Sequence, residues 1–321
     1  EYGHAVLVSS VVIVAYTFVG GYKAVSYTDV LQGVLMLAGL IAVPLVGIHA
    51  AGGPGAVLDS LQQQDPNLVR FIGDAGVEGW VVAISFAAIG LPFLGVPQLL
   101  IRYMSARDEE ELRKARSVSV TVLFIFMLGA ITAGMAGRAL FPDLTDSESV
   151  FPIMATELFP PLLTGVLVVV VLSAIMSTVD SLLLLASSAL VRDFFQQYRQ
   201  SPRSDADLAR LGKLATVVIG LLGIAFALPE ARFIFWFVLF SWSGLGAAFG
   251  PVVLAILYDP KVTANGVLAG MLAGFLTSVV WVLAVKAQAF GLYEAIPGFG
   301  AGFLATFAVS RLDRRFRTVD P

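Results

Sequence analysis

The sequence contains no cysteine and only two histidines, His4 and His49. Disulfides, thiolate metal centres and histidine-rich metal sites are thereby excluded. Charge is scarce as well. Asp, Glu, Lys and Arg make up 13% of 321 residues, against about 25% in a typical soluble domain. The polar surface needed to cover a soluble body of this size is missing. Net charge is only -3, so no large basic face for nucleic acid is expected. With both histidines near the ends of apolar runs, the paired histidine and acid of general acid–base chemistry have little to be built from, and an enzyme is not expected.

What the chain has in plenty is apolar surface, 58% of its residues. It is gathered into runs of about 20, the length that crosses a hydrocarbon core. Nine segments stand out: Ala5–Val19, Val30–Ala50, Gly79–Leu100, Val118–Ala139, Leu162–Leu190, Leu214–Leu228, Phe233–Tyr258, Val267–Val285 and Pro297–Val309. The first, sixth and last are short, open to being trimmed, re-entrant or extended by their flanks. Backbone groups in lipid must bond internally, so the segments are read as helices. The alternation of a β-barrel is not seen. The expected class is an all-α polytopic membrane protein with about nine transmembrane helices and the lipid bilayer as its solvent. The chain opens on Glu1 with no basic stretch ahead of its first apolar run. That start reads as internal to a longer protein, not as a signal peptide.

The basic residues test the count. Connections on one side hold Lys23, the group from Arg102 to Arg116, the group from Arg192 to Lys213, Lys261, and Arg311 to Arg317. The other side holds only Arg70, Arg138, Arg232 and Lys286. Positive loops stay cytoplasmic, which places Glu1 outside and Pro321 inside. Removing one segment would scramble this alternation. The inner loop Ser105–Arg116 reads as a charged surface helix with Glu110 facing Lys114 at i,i+4, and Gln196–Asp207 as a polar loop.

Several spans are not featureless anchors. The fifth places Ala174, Ser177, Thr178 and Ser181 at i, i+3, i+4, i+7, one helix face, with Asp180 beside it. Stacked hydroxyls and a carboxylate make a hard-oxygen surface suited to a hard cation. Singly, such hydroxyls more often bond back to their own helix. A carboxylate at the bilayer centre costs roughly 2.5–3.5 kcal/mol even on the mild insertion scale, so Asp180 should face a partner, a cavity or an ion, or lie hydrated near the cytoplasmic end. The third span contains GLPFLGVP. Two prolines five apart remove two backbone donors and predict a kink or break. After the first span, Thr28 or Asp29 reads as a helix cap, with Gln32 nearby. The small residues of SGLGAAFGP in the seventh span read as a close-packing surface.

Five motifs in order resemble the sodium/solute symporter family, most closely its sodium/proline symporters: YTFVGGYKAVSYTDVLQG from Tyr16, GxPQLLxRYM ending at Met104, SAIMSTVDSLLLLASSALVRD from Ser173, SGLGAAFGPVVL from Ser243 and GLYEAIPGF from Gly291. The resemblance implies a leucine-transporter-like fold of two inverted five-helix repeats, with the first core helix outside this chain. Residues 1–28 would hold the last helix of the first repeat and a cytoplasmic turn. Residues 29–228 would form the second repeat, and 229–321 the peripheral helices and a basic tail. It also implies a sodium site made of the Ala174 carbonyl and the Ser177 and Thr178 hydroxyls, completed by the absent helix. A second sodium site in some members matches Asp29 with Ser177, Asp180 and Ser181. Asp180 stands where some members carry Ser, so it would strengthen cation binding or take a proton instead. In the solute pocket Ile89 and Phe93 replace an aromatic pair and Pro97 is kept. The implied activity is sodium-coupled uptake, by alternating access, of a small organic solute such as a proline-like amino acid or a carboxylate. The implied place is the bacterial inner membrane, and no cofactor beyond the coupling Na+ is implied. A transporter-like sensor module is the alternative.

Overall fold

The structure, a computed structural model, describes residues 2–70, 72–73, 76–198, 204–228 and 234–317. Its elements are α1 (Tyr2–Ala50), α2 (Pro54–Gln64), α3 (Val77–Ala88), a 3-10 turn (Leu91–Leu94), α4 (Pro97–Met104), α5 (Glu109–Leu140), α6 (Val150–Leu158), α7 (Pro161–Ser188), α8 (Asp205–Ala227), α9 (Ile234–Tyr258), α10 (Ala264–Val280) and α11 (Ala295–Arg317). No strand occurs among the described residues. Among the described residues, eight helical stretches are long and apolar enough to cross a membrane. The first, Gly3–Ala50, has 48 residues, about 72 Å of helix, more than twice a hydrocarbon core. It is interrupted at Gly21, whose backbone (φ 60°, ψ -168°) is not helical. A conformation with positive φ and extended ψ is open to glycine alone. The long helix therefore holds two crossings, which agrees with the nine segments expected. The short sixth and last segments are extended by their flanks, to Ala206–Ala227 and Ala295–Arg314.

One expectation about the connections needs correction. Asp29 is not a helix cap. The second half of α1 is already helical from Tyr22, two turns earlier, and the Thr28 hydroxyl donates to the Ala24 and Val25 carbonyls at 3.3 and 2.9 Å, within the helix. The charged stretch before the fourth span is helical and exposed from Glu109, and it runs on into that span. It is the first part of α5, whose N-terminus is capped by Asp108 accepting from the Glu111 amide at 2.8 Å, with Glu109, Glu110 and Glu111 in the favourable first turn. Lys114 does meet Glu110, at 2.7 Å. Of the polar loop Gln196–Asp207, residues 199–203 lie outside the described residues; α7 winds on before them as wider π turns over Ala189–Tyr198.

One compact unit consists of Glu1–Val69 and Asp108–Ala231. In it α1 packs against α5, α7 and α8. Val43, Ala136, Met154, Ala155, Leu167 and Val170 form its core. The helices approach closely where side chains are smallest: a Cβ on Gly129 would strike the Leu40 carbonyl. The second unit consists of Arg70–Arg107 and Arg232–Pro321. There α9, α10 and α11 pack on one another, and the 3-10 turn rests on α9. Gly266, Gly270 and Gly274 let α10 lie against Ser310, Thr306 and Ala247. Packing therefore groups residues 77–104 with the C-terminal helices. In both units large apolar side chains face outward, among them Leu162 at 82%, Phe226 at 84% and Leu283 at 79% exposure. Such a surface suits lipid and would associate in water.

Candidate functional site

The residues of the face expected on the fifth span lie on one continuous helix. Proline at the start of α7 has no amide hydrogen to lose there, and the helix then runs unbroken to Ser188. The Ser177 hydroxyl donates to the Ala174 carbonyl at 3.2 Å and the Thr178 hydroxyl to the same carbonyl at 3.1 Å. Three oxygens are thus gathered at one turn of the helix. One turn on, the Ser181 hydroxyl donates to the Ser177 carbonyl at 2.8 Å. Back-bonding of this kind satisfies the hydroxyl protons internally and leaves oxygen lone pairs for an outside cation. Ala174 and Thr178 are exposed, while Ser177 and Ser181 are half-buried.

Asp180 points elsewhere. At 100° per residue it sits well off the face shared by its neighbours. It is fully buried, at 0% exposure. There it accepts a hydrogen bond from the Tyr16 phenol on α1, and Ser181 approaches its other oxygen at 3.5 Å. The Tyr16 hydroxyl lies 3.5 Å from the Met176 carbonyl. Gln32 is buried, at 8% exposure, and its Oε1 finds no hydrogen-bond partner. A buried acceptor without a donor carries a desolvation cost that a cation or a proton donor would relieve. Asp29, one helical turn before Gln32, has one carboxylate oxygen shielded from solvent. Neither the Tyr16 contact nor Gln32's burial was legible in advance. Tyr16 and Asp180 are 164 residues apart, and no periodicity links them. The only signal was a phenol near the end of an apolar span, the kind of donor a buried carboxylate elsewhere requires.

The solute candidates lie in the second unit, on a helix that breaks where GLPFLGVP predicted. Helix α3 ends at Ala88, the 3-10 turn follows, Val96 is extended (φ -65°, ψ 120°), and Pro97 restarts the helix at its first position. Ile89 packs with Ala88 against Leu239, Tyr293 and Ala295. Phe93 meets the Trp242 ring edge-on at 4.9 Å. A Cβ on Gly246 would strike Pro92, and one on Gly95 would strike the Gly250 backbone. The small residues of the seventh span therefore do what they predicted: they let the interruption lie directly on α9. Beside Pro97, the Oε1 of Gln98 is buried without a hydrogen-bond partner, a feature the sequence did not reveal. Below Ile89, burial and then the neighbouring Glu294 carboxylate push the Tyr293 phenol above its ordinary range.

Comparison with known proteins adds three findings. The model of the sodium:solute symporter family matches residues 1–274. The high-affinity proline transporter PutP of Bacillus subtilis is 37% identical over 305 residues, covering 94% of this chain, and a sodium/proline symporter of Staphylococcus aureus is 35% identical over 327 residues, covering 98%. This chain spans 63% of the length of each. Among solved structures, a substrate-bound outward-open Na+-coupled sialic acid symporter, described as revealing a novel Na+-site, superposes with a TM-score of 0.74 at 20% identity, covering 97% of this chain and 67% of the other.

Proposed function

The chain belongs to the sodium:solute symporter family and has the leucine-transporter-like fold, and from that premise we propose that it is the greater part of a secondary transporter, not an enzyme. The whole protein couples sodium entry to uptake of a small organic solute, proline-like or a carboxylate. The relatives at 35–37% identity are named as proline transporters, which favours an amino acid over a carboxylate. No observation favours the sensing alternative.

One observation carries this reading: the Ala174 carbonyl and the Ser177 and Thr178 hydroxyls converge within 3.2 Å on α7. Sodium, a hard cation, takes such oxygens as ligands. The remaining ligands are assigned to a helix outside this chain. Asp29, Asp180 and Ser181 are assigned to a second cation position, at which the buried Gln32 oxygen is a further acceptor. The solute is assigned to the interruption at Ile89, Phe93 and Pro97, since broken helices at membrane depth line the cavities of transporters. Sodium and solute both favour the closed packing, so each raises the affinity for the other. The bacterial inner membrane is the assigned location, with the start of the chain outside and its basic end in the cytoplasm.

The test is uptake by the full-length protein in proteoliposomes. Labelled L-proline is offered with and without an inward sodium gradient and competed with a panel of amino acids and carboxylates. Sodium-dependent uptake competed by proline analogues is expected. Uptake indifferent to sodium, with proton or potassium gradients equally effective, rejects the coupling.

A further inference from the structure

The motif GLYEAIPGF follows the loop after α10 and takes no part in the cation or solute assignments. Yet it carries a buried carboxylate with both oxygens bonded. Glu294 is buried, at 1% exposure. Its Oε2 meets Lys286 Nζ at 2.7 Å, and its Oε1 accepts from the Ser243 hydroxyl on α9 at 3.1 Å. Its backbone carbonyl accepts from the Ser278 hydroxyl on α10 at 3.3 Å. The preceding residue reaches α3 and, again, α9. The Tyr293 amide donates to Ser85 Oγ on α3 at 3.0 Å, and the Tyr293 hydroxyl donates to the Leu239 carbonyl on α9 at 3.2 Å. A sharp turn feeds the pair into place, with left-handed backbone at Phe290 (φ 51°) and Gly291 (φ 77°).

The helix end before the interruption and the turn within it rest on what this pair holds. Ala88 and Ile89, before the break, pack on Tyr293, Leu239 and Ala295. Phe93, within it, packs on Trp242, the residue before Ser243. A buried ion pair is a poor source of stability compared with apolar packing, but removing one partner leaves an uncompensated charge. Two residues that cross-link three helices around a break are therefore suited to fixing geometry. We propose that the Lys286–Glu294 ion pair is a positioning brace: through Ser243 and Tyr293 it holds the Ala88–Phe93 segment against α9 and so sets how tightly the solute is bound. This rests on the assignment of the solute to Ile89, Phe93 and Pro97. Lys286 and Glu294 touch no assigned ligand and act through Tyr293, Ser243 and Trp242.

The experiment uses full-length protein in proteoliposomes with labelled L-proline as the probe. Glu294→Gln keeps the shape and removes the charge; Lys286→Met removes the partner. Each is expected to raise the KM for proline about tenfold, equivalent to 1.4 kcal/mol, with Vmax per inserted molecule within about twofold, and Lys286→Arg is expected to restore KM. Ser243→Ala, which removes the hydroxyl shared between Glu294 and the Phe240 carbonyl and leaves the Tyr293 bond to α9 in place, should raise KM about threefold and serves if the charge variants do not insert. A second readout does not depend on the solute. In a background without other cysteines, Ala88→Cys is alkylated by a maleimide, and adding Glu294→Gln or Ser243→Ala should speed alkylation about fivefold or more as the segment loosens. Lower Vmax with unchanged KM, or unchanged alkylation, overturns the brace. Faster alkylation with unchanged KM overturns its role in solute fit. If the parent protein takes up no proline, the transport assignment fails, and alkylation alone decides the brace.

Discussion

Replacing Tyr16 by Phe tests whether the buried Asp180 carboxylate is held by the phenol on α1. The carboxylate is at 0% exposure and accepts from Tyr16. A hydrogen bond to a charged group contributes about 1.5–3 kcal/mol, and its loss in a buried setting carries the full desolvation penalty of the acceptor. Tyr16→Phe should therefore destabilise the protein by about 2 kcal/mol or more. Asp180→Asn keeps an acceptor for the phenol without a buried charge and should cost about 1 kcal/mol or less. Asp180→Leu combined with Tyr16→Phe replaces both partners with apolar groups and should be much milder than the sum of the single changes. The assay is reversible unfolding of the full-length protein in mixed detergent micelles, analysed as a double-mutant cycle on Tyr16→Phe and Asp180→Leu. A coupling energy of about 1.5 kcal/mol or more is expected; one below about 0.5 kcal/mol refutes the argument.

Two further outcomes follow from the packing. Gly95→Ala drives a methyl group into the Gly250 backbone, which cannot rotate aside, so the protein should lose about 1–3 kcal/mol in the same unfolding assay. Tyr293 is held protonated above its ordinary range. Its neutral form is favoured by folding, so its stabilisation is fully present below about pH 10 and is lost as pH rises from there toward the folded-state value. Thermal unfolding between about pH 9 and 11 should show that decline, and Tyr293→Phe should flatten it.

Much of the architecture is written in one-dimensional signals. Apolar runs gave the spans because their length is fixed by bilayer thickness. Pro92 and Pro97 gave the interruption because a missing amide hydrogen is a local fact. The α7 oxygen face was legible because 174, 177, 178 and 181 share a helical period. What failed or stayed hidden depends on partners distant in sequence. Thr28–Asp29 looked like a cap because short polar residues beside an apolar run commonly are. Only the single-residue break at Gly21 shows that the helix had already begun two turns earlier. Tyr16 with Asp180, and Glu294 with Ser243, are side-chain meetings across 164 and 51 residues, for which no spacing rule exists. Packing sorts residues 77–104 with the C-terminal helices because the glycines of α9 admit the broken segment, a contact between distant parts of the chain.

The most direct test is the sodium dependence of proline uptake by the full-length protein carrying Ser177→Ala and Thr178→Ala together. Neither hydroxyl is needed to hold the helix, since each bonds only back to the Ala174 carbonyl. If they are ligands, losing two charge-assisted contacts of about 1.5–3 kcal/mol each should raise the half-saturating sodium concentration by at least about a hundredfold, with the protein still inserted. A half-saturating concentration unchanged within about twofold would contradict the assignment of sodium to α7.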